Sequence, residues 1–286
     1  MSSKVRPHFG TDGIRGNADK ELSNEFVFAL GKAIATAIFD HITTNKLDED
    51  AEIVIGRDTR SSGSRIEKAL ANGLMAAGAK VASIGILPTP AISLYAEKQN
   101  VYACAITASH NPAIDNGIKV FLRGGQKTDE NFEAKIESYL NTYLDSDLVV
   151  EIEFAQDVED KNDKAFKTYI TWLQESFNEL SLDGLAVALD CANGASYETA
   201  PSIFNILGAK TLPINVESDG IHINENCGAT DLSSLKKYVL SNQVDIAFAF
   251  DGDADRIMIL DENAKEYDGD YILALLAKEL DLDPKI

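Results

Sequence analysis

The chain has 286 residues, is 45% hydrophobic and carries a formal net charge of −20. That length allows two or three domains with apolar cores, whereas the charge argues against nucleic acid, whose phosphates demand a basic footprint. No apolar run reaches the roughly 20 residues of a bilayer span, and "MSSKVRPHFG" lacks a signal peptide's apolar core, so the expectation is a cytoplasmic protein with no membrane partner.

In chain order, "FGTDGIRG" (Phe9–Gly16) comes first, three glycines in eight residues around Arg15. Its spacing fits neither a Walker A loop nor a Rossmann fingerprint. Phe26, Val27, Leu30, Ile34, Ile38 and Ile42 recur at helical spacing and predict a helix over Glu25–Asn45. "AEIVIG" (Ala51–Gly56) reads as a buried strand, Ser62–Gly78 as a helix, Lys80–Ile84 as a strand, Thr89–Gln99 as a helix and Val101–Ile106 as a strand. The alternation points to a parallel α/β sheet. A strand over Gly117–Leu122 and a helix over Asp129–Tyr143 follow, then an acidic, polar stretch, Asp145–Asp163, that marks a domain boundary.

The pattern restarts after a helix at Lys164–Asn178, where Trp172 reads as a packing residue. Leu185–Asp190, Ala209–Asn215 and Val244–Asp251 read as strands, and Tyr197–Leu207 and Leu232–Asn242 as helices. "AAGAKVASIG" (76–85) resembles "ILGAKTLPIN" (206–215), a sign of two copies of one unit. The fold class read here is α/β: two repeated mixed, mostly parallel three-layer domains, residues 1–150 and 151–256, plus the start of a third at 257–286, including a helix over Asp270–Leu282. Cys104, Cys191 and Cys227 are an odd, widely spaced set and read as reduced structural residues.

Two loops fall at equivalent places, each after the third strand of its unit, where open α/β sheets bind ligands. "DGDADR" (Asp251–Arg256) sets Asp251, Asp253 and Asp255 at alternate positions. Three hard oxygen donors suit Mg²⁺ or Mn²⁺; the bland alternative is a solvated acidic turn. "TASHNP" (Thr107–Pro112) offers Ser109 as a phosphoryl-accepting hydroxyl. His110 beside it makes no dyad by adjacency alone, because neighbours in extended chain point apart. "GRDTRSSG" (Gly56–Gly63) follows a strand, and its Arg57, Asp58 and Arg60 are expected to brace the serine loop and cap the next helix.

Together these segments resemble the α-D-phosphohexomutase superfamily. FGTDGIRG, TASHNP with "DNGIK" (Asp115–Lys119), and DGDADR stand in the family's order and approximate separation. "DCANGASY" (Asp190–Tyr197) and "INENCGATD" (Ile223–Asp231) look most like its phosphoglucosamine mutase branch. The resemblance implies that Ser109 is a phosphoserine exchanging its phosphoryl group with a hexosamine phosphate. It implies one Mg²⁺ held by Ser109, Asp251, Asp253 and Asp255. Arg15 would lie near the phosphoserine and Arg256 near the metal loop, both suited to phosphate. His110 and Lys119 are its two candidates for acid/base work. The implied reaction interconverts glucosamine 6-phosphate and glucosamine 1-phosphate through a bisphosphorylated sugar, and the resemblance admits a homodimer. Two alternatives stand beside it: a phosphoglucomutase or phosphomannomutase, and a non-catalytic pair of metal- or sugar-phosphate-binding domains. Family members carry a third domain with a sugar-recognition loop and a fourth with a phosphate-binding loop. Neither is visible after Asp270, so the expectation is a truncated chain or fragment with little grip on substrate.

Overall fold

The computed structural model describes residues 8–10, 12–47, 50–145 and 158–279. The first unit runs β1 (Phe9–Gly10), β2 (Gly13–Asn17), α1 (Asn24–Asn45), β3 (Glu52–Arg57), α2 (Gly63–Ala76), β4 (Lys80–Ile86), α3 (Thr89–Gln99), β5 (Tyr102–Ile106), β6 (Asp115–Phe121) and α4 (Glu130–Asp145). α1 starts where Ser23 accepts the Phe26 N–H at 3.3 Å and stops at Lys46, which takes the left-handed conformation. Its buried stripe includes Phe26, Val27, Leu30, Ile34 and Ile38, where each large aliphatic contributes about 1.5–3 kcal/mol of burial.

With a further short strand, β7 (Glu159–Asp160), at its edge, the first sheet has the order β1-β2-β6-β5-β3-β4-β7. Its centre is parallel, with Val54 opposite both Ala82 of β4 and Ala103 of β5. β6 and β2 then add antiparallel, pairing Lys119 with Ala105 and Arg15 with Gly117. Side chains alternate across it, as a two-residue period requires. Ile53, Ile55, Tyr102, Cys104 and Ile106 face α1, α2 and α4, while Val54, Ala103, Ala105 and Ile84 face α3. The result is a three-layer sandwich.

The second unit has β8 (Ala186–Asp190), α6 (Thr199–Ile206), β9 (Lys210–Ile214), a short 3₁₀ turn at Gly228–Thr230, α7 (Ser233–Ser241), β10 (Ile246–Phe250), β11 (Ile257–Asp261) and β12 (Glu266–Tyr267). Its sheet order is β12-β11-β10-β8-β9, parallel across β10-β8-β9 and antiparallel beyond. Strand for strand, β11-β10-β8-β9 reproduces β6-β5-β3-β4, so the internal repeat is real. The repeat extends to backbone detail: Gly78 and Gly208 end the corresponding helices at φ 98° and 97°, a conformation that glycine adopts without steric cost.

Two expectations need correction. β7 (Glu159–Asp160) pairs parallel with β4, so part of the acidic stretch read as a boundary is an edge strand of the first sheet. Residues 146–157 of that stretch lie outside the described residues. β11 and β12 close the second sheet, so residues 257–267 do not open a third unit. α1 is long and apolar enough to cross a membrane by length and composition, although no apolar run within it reaches the roughly 20 residues of a span. Lys32 and Asp40 interrupt its apolar runs, and here it is a core helix packed on α2 and α4.

α5 (Asn162–Ser176) packs on α3 and β4 of the first unit and on α6 of the second. Trp172 on it is exposed rather than packed. α8 (Gly269–Glu279) leaves Tyr271, Leu273, Leu275 and Leu276 exposed. The remainder of the helix expected to reach Leu282 lies outside the described residues.

Candidate active site

β5 ends at Ile106 and the chain turns at once. The Thr107 N–H donates to Gly117 O at 3.0 Å, and Thr107 Oγ1 accepts the Ser109 N–H at 2.8 Å. This turn holds Ser109 at φ 53°, a left-handed conformation that costs a non-glycine residue about 1–2 kcal/mol and persists only where surroundings enforce it. Arg60 is one enforcer. Its side chain is fully buried, with Nε on Asp58 Oδ2 at 2.9 Å. Its Nη1 donates to Pro112 O and Asp115 O, and its Nη2 to Ser109 O at 2.9 Å and Asn111 O at 2.8 Å. The expected bracing thus falls to Asp58 and Arg60. Arg57 turns away to Glu67, 3.0 Å distant, and α2 starts at Ser62 without a side-chain cap.

The acidic loop meets this turn across the boundary between the units. Ser109 Oγ donates to Asp251 Oδ2 at 2.6 Å and lies 3.4 Å from Asp255 Oδ1. Asp251 Oδ1 accepts the N–H groups of Asp255 and Arg256, both at 3.1 Å, which curls the loop so that alternate carboxylates converge. Lys119 reaches over from β6, its Nζ 2.8 Å from Asp253 Oδ2 and 3.2 Å from Asp255 Oδ2. Thr89 holds the same residue twice: its Oγ1 donates to Asp253 Oδ2 at 2.7 Å and its N–H to the backbone carbonyl of Asp253 at 2.9 Å. That N–H is free because Thr89 opens α3, where helical amides lack partners. Gly252 permits the close approach, since a Cβ there would stand 2.7 Å from Ser109 O.

Carboxylate oxygens of Asp251, Asp253 and Asp255 lie within 4.8 Å of one another. Burial, then the charge of Asp253, pushes the Asp251 carboxyl up to about 7. Burial pushes the Asp253 carboxyl up, but the ammonium of Lys119 and the hydrogen bonds it accepts together outweigh this and lower it. Burial pulls Lys119 down, but Asp253 and Asp255 outweigh it and raise the ammonium. Asp253 Oδ1 is buried without a hydrogen-bond partner among the described residues. Hard oxygen donors, excess negative charge and an unspent buried acceptor are together a donor set that fits Mg²⁺.

The remaining sequence-derived residues cluster at the same place. Burial lowers His110 first, and the positive charges of Arg256 and Arg15 lower it further, so both guanidinium groups act on this imidazole. Arg15 Nη2 stands 3.4 Å from Asp12, and its buried Nε has no partner among the described residues. Arg256 is half exposed, its Nε 4.0 Å from Asp255 Oδ1. Ser109 Oγ is 3.4 Å from His110 Nδ1. The expectation that these neighbours point apart assumed extended chain, and the left-handed turn removes it. Sequence reasoning missed Thr89, whose signal was a threonine opening a helix just after Leu87-Pro88. It also missed Asn224, whose Nδ2 donates to Ser109 O at 2.8 Å. The three cysteines are free and buried, as expected, with burial pushing each thiol up to about 12. A second group, Glu217, Asp219 and His222, sits exposed in a turn where Asp219 caps the N–H groups of Ile221 and His222.

The family model of phosphoglucomutase/phosphomannomutase alpha/beta/alpha domain I matches residues 6–146, and that of domain II matches residues 167–265. The chain is 40% identical over 281 residues to a protein of Acetivibrio thermocellus named phosphoglucosamine mutase, covering 97% of this chain and 61% of that one. A protein of the same name from Chromobacterium violaceum is 41% identical over 278 residues, covering 96% and 60%. The chain therefore spans about three fifths of the length of these relatives. Among solved structures, a phosphoglucomutase/phosphomannomutase family protein from Burkholderia thailandensis superposes with a TM-score of 0.72 at 25% identity, over 93% of this chain and 57% of that one. The open form of the Paramecium phosphoprotein pp63/parafusin shares the fold, with a TM-score of 0.65 at 20% identity over 91% and 54%. The two family models follow one another along the sheets just described, and the chain belongs to the phosphoglucomutase/phosphomannomutase family.

Proposed function

We propose that this chain carries the nucleophile and the metal-binding loop of a phosphohexomutase that interconverts glucosamine 6-phosphate and glucosamine 1-phosphate. The observation that carries the reading is the 2.6 Å hydrogen bond from Ser109 Oγ to Asp251, inside a cluster of three carboxylates supplied by the other unit. The choice of sugar rests on the relatives named phosphoglucosamine mutase.

Ser109, Asp251, Asp253 and Asp255 would hold Mg²⁺, which when bound neutralises charge on the phosphoryl group being transferred. The chain's own residues do the rest. Phosphorylated Ser109 gives its phosphoryl group to the sugar O1: the bond from phosphorus to Oγ breaks as the bond to O1 forms, and the O1 proton passes to His110, since Lys119 already holds its proton as an ammonium. The bisphosphorylated sugar reorients, and its O6 phosphoryl group returns to Ser109 Oγ while O6 takes a proton back. Arg15 and Arg256 supply fixed positive charge beside Ser109 and the acidic loop, where the phosphoryl group is handed over. Lys119, clamped between two carboxylates, keeps its ammonium aimed into the site.

Incubating the chain with Mg²⁺ and glucosamine 1,6-bisphosphate, then measuring intact mass, tests the reading. One phosphoryl group should appear on the parent chain and none on Ser109→Ala. Equal labelling of both would remove Ser109 as nucleophile. Calorimetric binding of the bisphosphate with no labelling of the parent would favour a domain pair that binds without transferring. Comparing rates on glucose, mannose and glucosamine phosphates in a protein that carries all four family domains decides the sugar.

A further inference from the structure

The carbonyls of the nucleophile turn are gripped from two sides. Within its own unit, Arg60 Nη2 bridges Ser109 O and Asn111 O. From the second unit, Asn224 Nδ2 bridges the same two oxygens, at 2.8 and 3.2 Å. A carbonyl oxygen has two lone pairs, so the two donors fill the capacity of both. The amide can face this way only, because Oδ1 turned inward would meet two carbonyl oxygens.

Asn224 is itself firmly seated. It holds φ 60°, its N–H donates to Ala192 O at 3.0 Å, and Ile223 before it is buried. It also abuts the acidic loop: a Cβ on Gly252 would come within 2.9 Å of Asn224 Nδ2. One side chain therefore touches both the turn that carries Ser109 and the turn that carries the carboxylates. Arg60 fixes the shape of the serine turn within the first unit. Asn224 refers that turn to the second unit, where its acidic partners lie.

We propose that Asn224 is a positioning residue whose amide sets the register between Ser109 and the Asp251–Asp255 loop. The catalytic consequence rests on the reading of Ser109 as nucleophile; the structural consequence rests on hydrogen-bond geometry alone. The test therefore has two arms, both on the 286-residue chain.

Asn224→Gly deletes the amide and tolerates the left-handed backbone. Asn224→Asp keeps the volume but replaces the donor by an acceptor. In hydrogen–deuterium exchange, both variants should speed exchange of the Ser109 and Asn111 amides about tenfold or more, while β3 and β4 stay within about twofold of the parent. Asn224→Asp should loosen the turn at least as much as Asn224→Gly. A space-filling role would reverse that order, and an unchanged turn would overturn the proposal outright. In the second arm, Asn224→Gly should slow phosphoryl incorporation at saturating bisphosphate about tenfold or more, with half-saturation shifted less than about threefold, because misplacing a nucleophile costs rate rather than binding. A loss confined to half-saturation would refute positioning. If the parent itself takes no phosphoryl group, the nucleophile assignment fails, while the exchange arm still decides the role of Asn224.

Discussion

Removing the guanidinium of Arg60 should cost more stability than any surface change in the chain. Arg60 and Asp58 form an ion pair with both side chains fully buried, Nε to Oδ2 at 2.9 Å. Arg60→Met strands the Asp58 carboxylate, which stripping one partner from a buried pair makes about 3–5 kcal/mol unfavourable. Ser109 O and Asn111 O keep Asn224 as donor, but Pro112 O and Asp115 O lose a hydrogen bond worth about 1 kcal/mol each. The loss should lower the midpoint of thermal unfolding by roughly 10 °C or more, at about 2–4 °C per kcal/mol for a chain of this size. It should also grow with pH. Burial already pushes the Asp58 carboxyl up, against the opposing charge of Arg60. Without that charge the folded pKa rises further above the unfolded value of 3.8, so the folded state binds more protons and stability falls as pH climbs from that value towards the folded one. Asp58→Asn in the Arg60→Met background removes the stranded charge and should recover about 2 kcal/mol or more. Calorimetry and urea unfolding of the four proteins at pH 5 and pH 8 measure this cycle. A cost below about 1 kcal/mol for Arg60→Met, or simple addition of the two single changes, would refute the buried-pair reasoning.

Thr89→Val keeps the shape of the side chain but removes a donor from buried Asp253, so urea unfolding should show a loss of about 1–3 kcal/mol; an unchanged midpoint would mean that the contact is idle. His222 should titrate above 6.5, because the hydrogen bond it donates to Asp219, then the charge of that carboxylate, raises the imidazole, while Asp219 is held down to about 2. Whatever stability this pair adds is complete below the unfolded value of His222 and disappears as pH rises through the folded one. NMR titration should show His222 returning towards 6.5 in Asp219→Asn, and no movement there would disprove the pairing. Cys104, Cys191 and Cys227 should be silent to a thiol reagent in the native chain and react together on unfolding. A thiol that reacts in the native state would contradict the burial described for it.

What could be read in the sequence was whatever lies close along the chain. The stripe from Phe26 to Ile38 announces α1 because its spacing is a local property of one helix. The loops after β5 and β10 stood out because chemically loaded residues follow apolar strands directly. β7 stayed hidden because two acidic residues, Glu159 and Asp160, make an edge strand that pairs with β4, some 77 residues earlier. Asn224 stayed hidden for the same reason in sharper form: an asparagine in a polar loop looks like any turn residue until the carbonyls 113 and 115 positions away are in view. The positive φ of Ser109, which brings His110 within reach, depends on donors from Arg60 and Asn224 that no local window contains.

The boundary between the two sheets has a consequence for how the molecule assembles. Its bonds join residues far apart in the chain: Thr59 to Asn193 across 134 positions, Ser109 to Asp251 across 142 and Thr89 to Asp253 across 164. Contacts of such high order are late events, because the entropy of closing those loops must be met before the contacts give anything back. Each sheet can form on pairings within its own unit, while the left-handed serine turn lacks half of its restraints until the halves dock. The corner where the two units meet is therefore expected to be the final piece to form and, on unfolding, the first to come apart.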